Sequence, residues 1–233
     1  MIPWRLGRHK ILFILAIGIA LVPRVGAQAT SLELPTEFLN NSTAGGLNTI
    51  PPNLEGTPYL TEDFQNGRIY AANNTPYAAR LRYNAYQDEI QVQSGKVITS
   101  LYKRDSLWAE LGGETFKYYR YQTKSGISSG YFVELNPGSS RLLKRYEKVF
   151  REAQAASSSY SQDKPARFDE VVSYFLLLKQ NPAQRIRLRK NDILEILGSE
   201  EAEAYVKKQK LKLRSEAAVI ELLNHLNSKT GGE

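Results

Sequence analysis

The side chains best suited to recognition chemistry are arginines and tyrosines gathered in three short runs. In the first, Leu81-Arg82-Tyr83-Asn84-Ala85-Tyr86-Gln87-Asp88-Glu89-Ile90, Arg82 offers a planar donor fork. Tyr83 and Tyr86 offer flat amphipathic rings, a set suited to a glycan, a peptide or a peptidoglycan fragment. The same run also reads as a hairpin whose corner is Asn84 and Asp88, with tyrosines covering a sheet face, and the hairpin is the favoured reading. The second run is Tyr118-Tyr119-Arg120-Tyr121; in a strand Tyr119 and Tyr121 share one face while Tyr118 and Arg120 share the other. The third, Arg185-Ile186-Arg187-Leu188-Arg189, alternates strictly. As a strand it would set Arg185, Arg187 and Arg189 on one face.

Catalytic chemistry finds little to work with. The chain has no Cys and 2 His, His9 and His225. Thiol nucleophiles, disulfides, Cys-ligated metals and a lipid-acylated terminus are excluded, and a His-based triad nearly so. His225 falls beside the apolar face of the last expected helix and needs no function there. No phosphate-binding, dinucleotide, zinc-protease or calcium-loop motif occurs. A glycosidase needs only two carboxylates, for which Asp63, Asp88, Glu89 and Glu134 are available. Asp88 and Glu89 are adjacent, so a strand would point them to opposite faces. The expectation is a protein that is not an enzyme and carries neither cofactor nor metal.

The net charge of +7 suggests an anionic partner until the amino terminus is considered. Arg5, Arg8 and Lys10 precede an apolar stretch from Ile11 to Val22, which Pro23 and Arg24 break and Val25-Gly26-Ala27 follows. Positive, apolar and small-residue segments in that order make residues 1–27 a secretory signal. Its apolar stretch rises about 18 Å as a helix, short of a hydrocarbon core of about 30 Å, so no transmembrane span is expected after cleavage. Removing Arg5, Arg8, Lys10 and Arg24, with no acid among residues 1–27, turns 31 basic against 24 acidic groups into 27 against 24. Export and this near balance argue against nucleic acid. The arginine run and the basic residues 207–212 are better matched to an acidic partner or an envelope polymer.

The elements that would position these residues follow from punctuation. Residues 28–55, with Asn40-Asn41-Ser42-Thr43, Gly45-Gly46 and Pro51-Pro52, read as a flexible linker, and Asn40, Asn41 and Asn73 begin N-x-S/T triplets. From 56 to 188 the chain reads as a β-rich domain. Asn66-Gly67, Asn73-Asn74, Gln87-Asp88, Ser94-Gly95, Gly112-Gly113, Ser125-Gly126 and Asn136-Pro137-Gly138 separate short runs rich in Tyr, Val, Ile, Thr and Phe, the grammar of hairpins in sequence order. Residues 141–152 fit a helical stripe or a strand. Two strands joined by a long Ser/Ala/Gln-rich loop is the reading adopted for 141–178. Residues 189–233 form a helical part, with Asn191, Ser199 and Ser215 as caps and Val219, Leu222, Leu223 and Leu226 as an apolar face. The fold class is therefore α+β: an antiparallel β-meander (open sheet, small barrel or sandwich) followed by short C-terminal helices.

The order of Gly56-Thr57-Pro58-Tyr59-Leu60, the 81–89 hairpin, Lys164-Pro165-Ala166-Arg167-Phe168 and a helix-rich ending resembles exported, uncharacterised proteins of Bacteroidota-type bacteria. That resemblance implies the envelope of a Gram-negative bacterium, periplasm or cell surface, and supports strands over 141–178. It implies no activity. The leading expectation is a non-enzymatic exported protein binding another macromolecule, an envelope protein or a cell-wall or glycan polymer, through its β-rich part. The alternatives are a carboxylate-dependent glycan hydrolase and a structural assembly factor using the terminal helix.

Overall fold

The short runs rich in β-branched and aromatic residues do become strands. A computed structural model describes residues 34–40, 51, 53–71, 76–156 and 162–230. Residues 1–27, expected to be a secretory signal, and the triplets at Asn41 and Asn73 lie outside the described residues. Eleven strands among the described residues make one antiparallel sheet: β1 (Leu39–Asn40), β2 (Gln65–Tyr70), β3 (Pro76–Asn84), β4 (Glu89–Ser94), β5 (Val97–Leu101), β6 (Trp108–Leu111), β7 (Glu114–Thr123), β8 (Gly126–Glu134), β9 (Ser140–Arg151), β10 (Arg167–Leu178) and β11 (Gln184–Ile186). Three helices follow, α1 (Lys190–Leu197), α2 (Glu200–Gln209) and α3 (Glu216–Thr230). The architecture is α+β, and the sheet is open, with β1 and β11 at its edges.

The order β1-β5-β4-β3-β2-β6-β7-β8-β9-β10-β11 departs from a strict meander at two steps, β1-β5 and β2-β6. Strand β6 pairs with β2, matching Ile69 with Ala109, while β5 is covered by β1 through Leu39 and Leu101. The stretch read as a linker therefore supplies an edge strand, and its Glu55 exchanges backbone hydrogen bonds with Ala166 and Phe168. The sheet curls enough for the Tyr131 hydroxyl in β8 to donate to the carbonyl of Tyr102 just after β5, at 3.3 Å.

Asn66-Gly67 is not a turn but lies inside β2. A Cβ on Gly67 would sit 2.5 Å from the Glu110 carbonyl oxygen and 2.8 Å from Leu81. Glycine is required there by close strand approach, one of its two common meanings in a β sequence.

Strands β7 and β8 separate two cores. Phe116, Tyr131 and Val133 pack with Ile69, Leu81, Tyr83 and Ile90 on one side; Phe132 joins Leu143, Phe175, Leu177 and Ala183 on the other. Burial on both faces explains why residues 130–133 run without polar alternation. The second core is closed where Ala183 bridges β7, its amide donating to the Arg120 carbonyl at 2.8 Å and its carbonyl accepting from Gln122 at 2.9 Å.

Residues 141–152 resolve as strand. Strands β9 and β10 pair along their whole length, from Arg151 with Arg167 to Ser140 with Leu178, and twelve paired positions outweigh a helical stripe that would have left β10 paired only with the short β11. Ser199 and Ser215 cap α2 and α3, accepting from the amides of Ala202 and Ala218 at 3.3 and 3.4 Å. Helix α1 begins ahead of Asn191, with Arg189 at the capping position and no side-chain cap. The strand stops at Ile186, so Arg185, Arg187 and Arg189 do not form one strand face. Val219, Leu222 and Leu223 of α3 are buried with Leu142, Leu176, Ile193 and Val206. No helix among the described residues is long and apolar enough to cross a membrane.

Candidate functional site

Sequence pattern groups Arg82, Tyr83 and Tyr86 as a contact surface, and the structure disperses them. The Arg82 guanidinium lies 3.5 Å over the Tyr59 ring and 4.3 Å from Phe64. Its Nε and Nη2 donate to Gln91 Oε1, and Nη1 donates to the Glu62 carbonyl, so its fork is filled within the chain. Tyr83 is 1% exposed and its hydroxyl donates to Asp88 at 2.7 Å; burial raises its pKa well above the usual tyrosine value. Arg82 is half-buried, and Tyr86 alone of the three is exposed, at 41%, with its ring edge-on to Phe168.

Asp88 anchors this hairpin to the next part of the sheet. It sits in the left-handed region (φ 56°), accepts from the Tyr131 amide at 3.1 Å and faces Arg145 Nη2 at 3.6 Å. Arg145 is almost wholly buried and stacks over Tyr121 and Phe132. Tyr121 is thereby assigned to the second core, where it also meets Phe175. These residues make a buried lock rather than a binding face.

Of the aromatic candidates Tyr119 lines an open groove. The segment between β5 and β6, the middle of β7 and the turn after β10 surround about 900 Å³, with Trp108, Lys117, Tyr118, Tyr119, Arg120 and Arg141 along it. Trp108 stacks flat on Tyr70 at 5.6 Å, and the Lys117 ammonium is 5.7 Å from the indole. Lys117 also donates to Glu134 at 3.0 Å. The Tyr119 hydroxyl donates to Glu134 and accepts from Arg141 Nη1. Burial, then the Glu134 hydrogen bond, raise the Tyr119 pKa. Glu134 is thus held by three groove-lining side chains and offsets part of their charge. Lys103, Arg104 and Lys179 add cations at the rim, against Asp105 as the acid of the lining. Such a groove can stack a flat or ring-shaped group and pair its anionic substituents.

The candidate carboxylates are committed elsewhere or solvated. Asp88 belongs to the lock, Glu89 accepts from the Ser100 hydroxyl at 2.9 Å, and Asp63 is exposed. A carboxylate pair that sequence pattern does not reveal, Glu114 and Glu216, straddles Lys144 at 3.3 and 3.4 Å. Tyr146 and Tyr174 donate to the same two acids. The intervening ammonium offsets half the charge of the pair, and the cluster ties β7, β9, β10 and α3 together. Among the described residues no group of three or more His, Asp or Glu could hold a metal ion.

At the helical end Arg185 donates to the Ser173 hydroxyl at 2.8 Å, and Arg187 pairs with Asp192 at 2.8 Å. Arg187 and Arg189 line a second cleft that shares no residue with the groove. His225 stacks on Tyr205 and faces Glu201 at 3.4 Å, a structural place on α3. Sequence reasoning missed Trp108, Lys117 and Arg141, and placed Arg120 in a run without singling it out. The available signal was the Lys103-Arg104 doublet ahead of a rare tryptophan and the basic residues flanking Tyr119. Compared with known proteins, the chain matches no family model, no curated sequence and no solved structure.

Proposed function

We propose that the chain is a non-enzymatic exported envelope protein that holds an anionic cell-wall or glycan polymer in the groove between β7 and the segment joining β5 to β6. The observation that carries this reading is the pairing of an indole and two tyrosines with cations along one open groove. A polymer ring can lie against Trp108 or Tyr118 while its acidic groups meet Arg104, Arg120 and Lys179. The carboxylates lend no support to a glycan hydrolase, because Asp88, Glu114, Glu134 and Glu216 all face cations. The terminal helix lends none to an assembly role, because Val219, Leu222 and Leu223 are buried within the chain.

Co-sedimentation with purified cell-wall sacculi and with an acidic polysaccharide tests the proposal. The chain should bind, and raising salt from about 50 to about 300 mM should weaken binding severalfold. The triple variant Arg104→Ala, Arg120→Ala, Lys179→Ala should lose at least about tenfold in affinity with an unchanged melting curve. Equal binding by wild type and variant, or none by wild type, overturns it.

A further inference from the structure

The cleft at the start of α1 has a different chemistry from the groove. It encloses about 690 Å³ and brings together Arg187, Arg189, Lys190, Lys212 and Arg214, with Asp192 as its acid. Asp192 is already spent: its two oxygens take Nε and Nη2 of Arg187 at 2.8 and 3.2 Å, and one also accepts the Arg187 amide. The side chains of Arg189, Lys190, Lys212 and Arg214 are exposed and make no hydrogen bond or ion pair among the described residues. Arg189 shares the field of Asp192, and Lys190 also borders Glu200 and Glu203. Four cations without a hydrogen-bonded or ion-paired acid of their own still outnumber the acid of this cleft and focus a positive potential into it.

Among the described residues no aromatic side chain lines this cleft, so it offers no ring against which a sugar could lie. What its walls supply is charge and guanidinium forks. A carboxylate brings one charge per group. A phosphoryl group brings nearly two, with three acceptor oxygens, and fits the fork of arginine bidentately. We infer that this cleft is a second binding site, independent of the groove, that takes a compact phosphoryl-bearing anion between Arg189, Arg214, Lys190 and Lys212.

Isothermal titration of the full chain with inorganic pyrophosphate, against citrate as a carboxylate anion of comparable charge, tests the inference. Pyrophosphate should bind at least about tenfold tighter than citrate, and Arg189→Ala with Arg214→Ala should weaken it by at least about tenfold. Lys96→Ala, in the distant β4–β5 turn, should leave it unchanged, and so should the triple groove variant, which separates this site from the proposed polymer site. Restoring the charges with Arg189→Lys and Arg214→Lys should recover part of the loss. Zwitterionic vesicles with and without phosphatidic acid identify the source of the phosphoryl group. Retention that needs both phosphatidic acid and the two arginines assigns a lipid headgroup, and pyrophosphate binding without retention assigns a free ligand. Citrate binding as tightly as pyrophosphate, or pyrophosphate binding that survives the double substitution, overturns the inference.

Discussion

Gly130 is constrained by a charge pair rather than by its own backbone. A Cβ there would come within 2.6 Å of Asp88 Oδ2 and 3.2 Å of the Arg145 guanidinium. Gly130→Ala should therefore push Asp88 from Arg145 and destabilise the fold by about 1–3 kcal/mol. Asp88→Ala should do more, about 3–5 kcal/mol, because it leaves the buried Arg145 with only the more exposed Glu147 at 3.7 Å and takes the Asp88 acceptor from the Tyr83 hydroxyl and the Tyr131 amide. Chemical denaturation of each variant checks both values. An Asp88→Ala loss under 1 kcal/mol would mean that the pair behaves as a surface ion pair. Sequence pattern placed Asp88 at the hairpin corner. It could not show that the corner folds against β8 and β9, since Gly130 and Arg145 lie far along the chain and nothing local marks their meeting. For the same reason Tyr83 and Tyr86 read alike in sequence, yet one ends in the core and the other in solvent.

Elements with local punctuation were legible; those fixed by long-range pairing were not. Ser199 and Ser215 cap the helices expected of them because a hydroxyl before an acidic first turn is a local signal. Residues 185–189 alternate as a strand should, but pairing with β10 ends at Ile186, and the Arg187–Asp192 contact turns the chain into α1. The attachment of α3 was also hidden. Its Asn227 accepts from the Ser140 amide at 2.9 Å and donates to the carbonyls of Pro137 and Ser140. A helix side chain thus fixes the turn entering β9, and Gly138 leaves room for it. Asn227→Ala should cost about 1–3 kcal/mol, with hydrogen exchange rising first in residues 136–142. Exchange that rises uniformly across the sheet would show that the clamp is not local. Leu223→Ala should cost about 2–5 kcal/mol by opening the core shared by α3 and β9.

Across the whole molecule, the 14 tyrosines turn out to be more than strand material. Tyr70, Tyr83, Tyr119, Tyr146 and Tyr174 each donate to a carboxylate, of Glu110, Asp88, Glu134, Glu114 and Glu216 respectively. Composition announces the tyrosines, but only the tertiary placement of the β3–β4 turn, β6, β7, β8 and α3 supplies the acids. All five pKa values are raised, by burial first and then by the facing carboxylate for Tyr83, Tyr119, Tyr146 and Tyr174, and by Glu110 first for Tyr70; Tyr174 is pushed up to about 12. An unfolded tyrosine loses its proton near the ordinary value of 10.0. Between that pH and the folded values the native chain holds protons that the unfolded chain has released, and stability falls as pH rises. This contribution is complete below about pH 10 and is lost through about 12 for Tyr174 and higher still for Tyr119. At the acid end Asp169 and Asp192, half-exposed and lowered by Arg167 and Arg187, give up a small contribution as pH falls below the ordinary carboxylate range. Denaturant midpoints should therefore hold level from neutrality to about pH 10 and then drop steeply. Tyr174→Phe should make that drop shallower, because one of the protons that favours the native state is gone. A midpoint that stays level to about pH 12, or a variant that falls as steeply as the parent, would mean that these hydroxyl–carboxylate contacts do not govern alkaline stability.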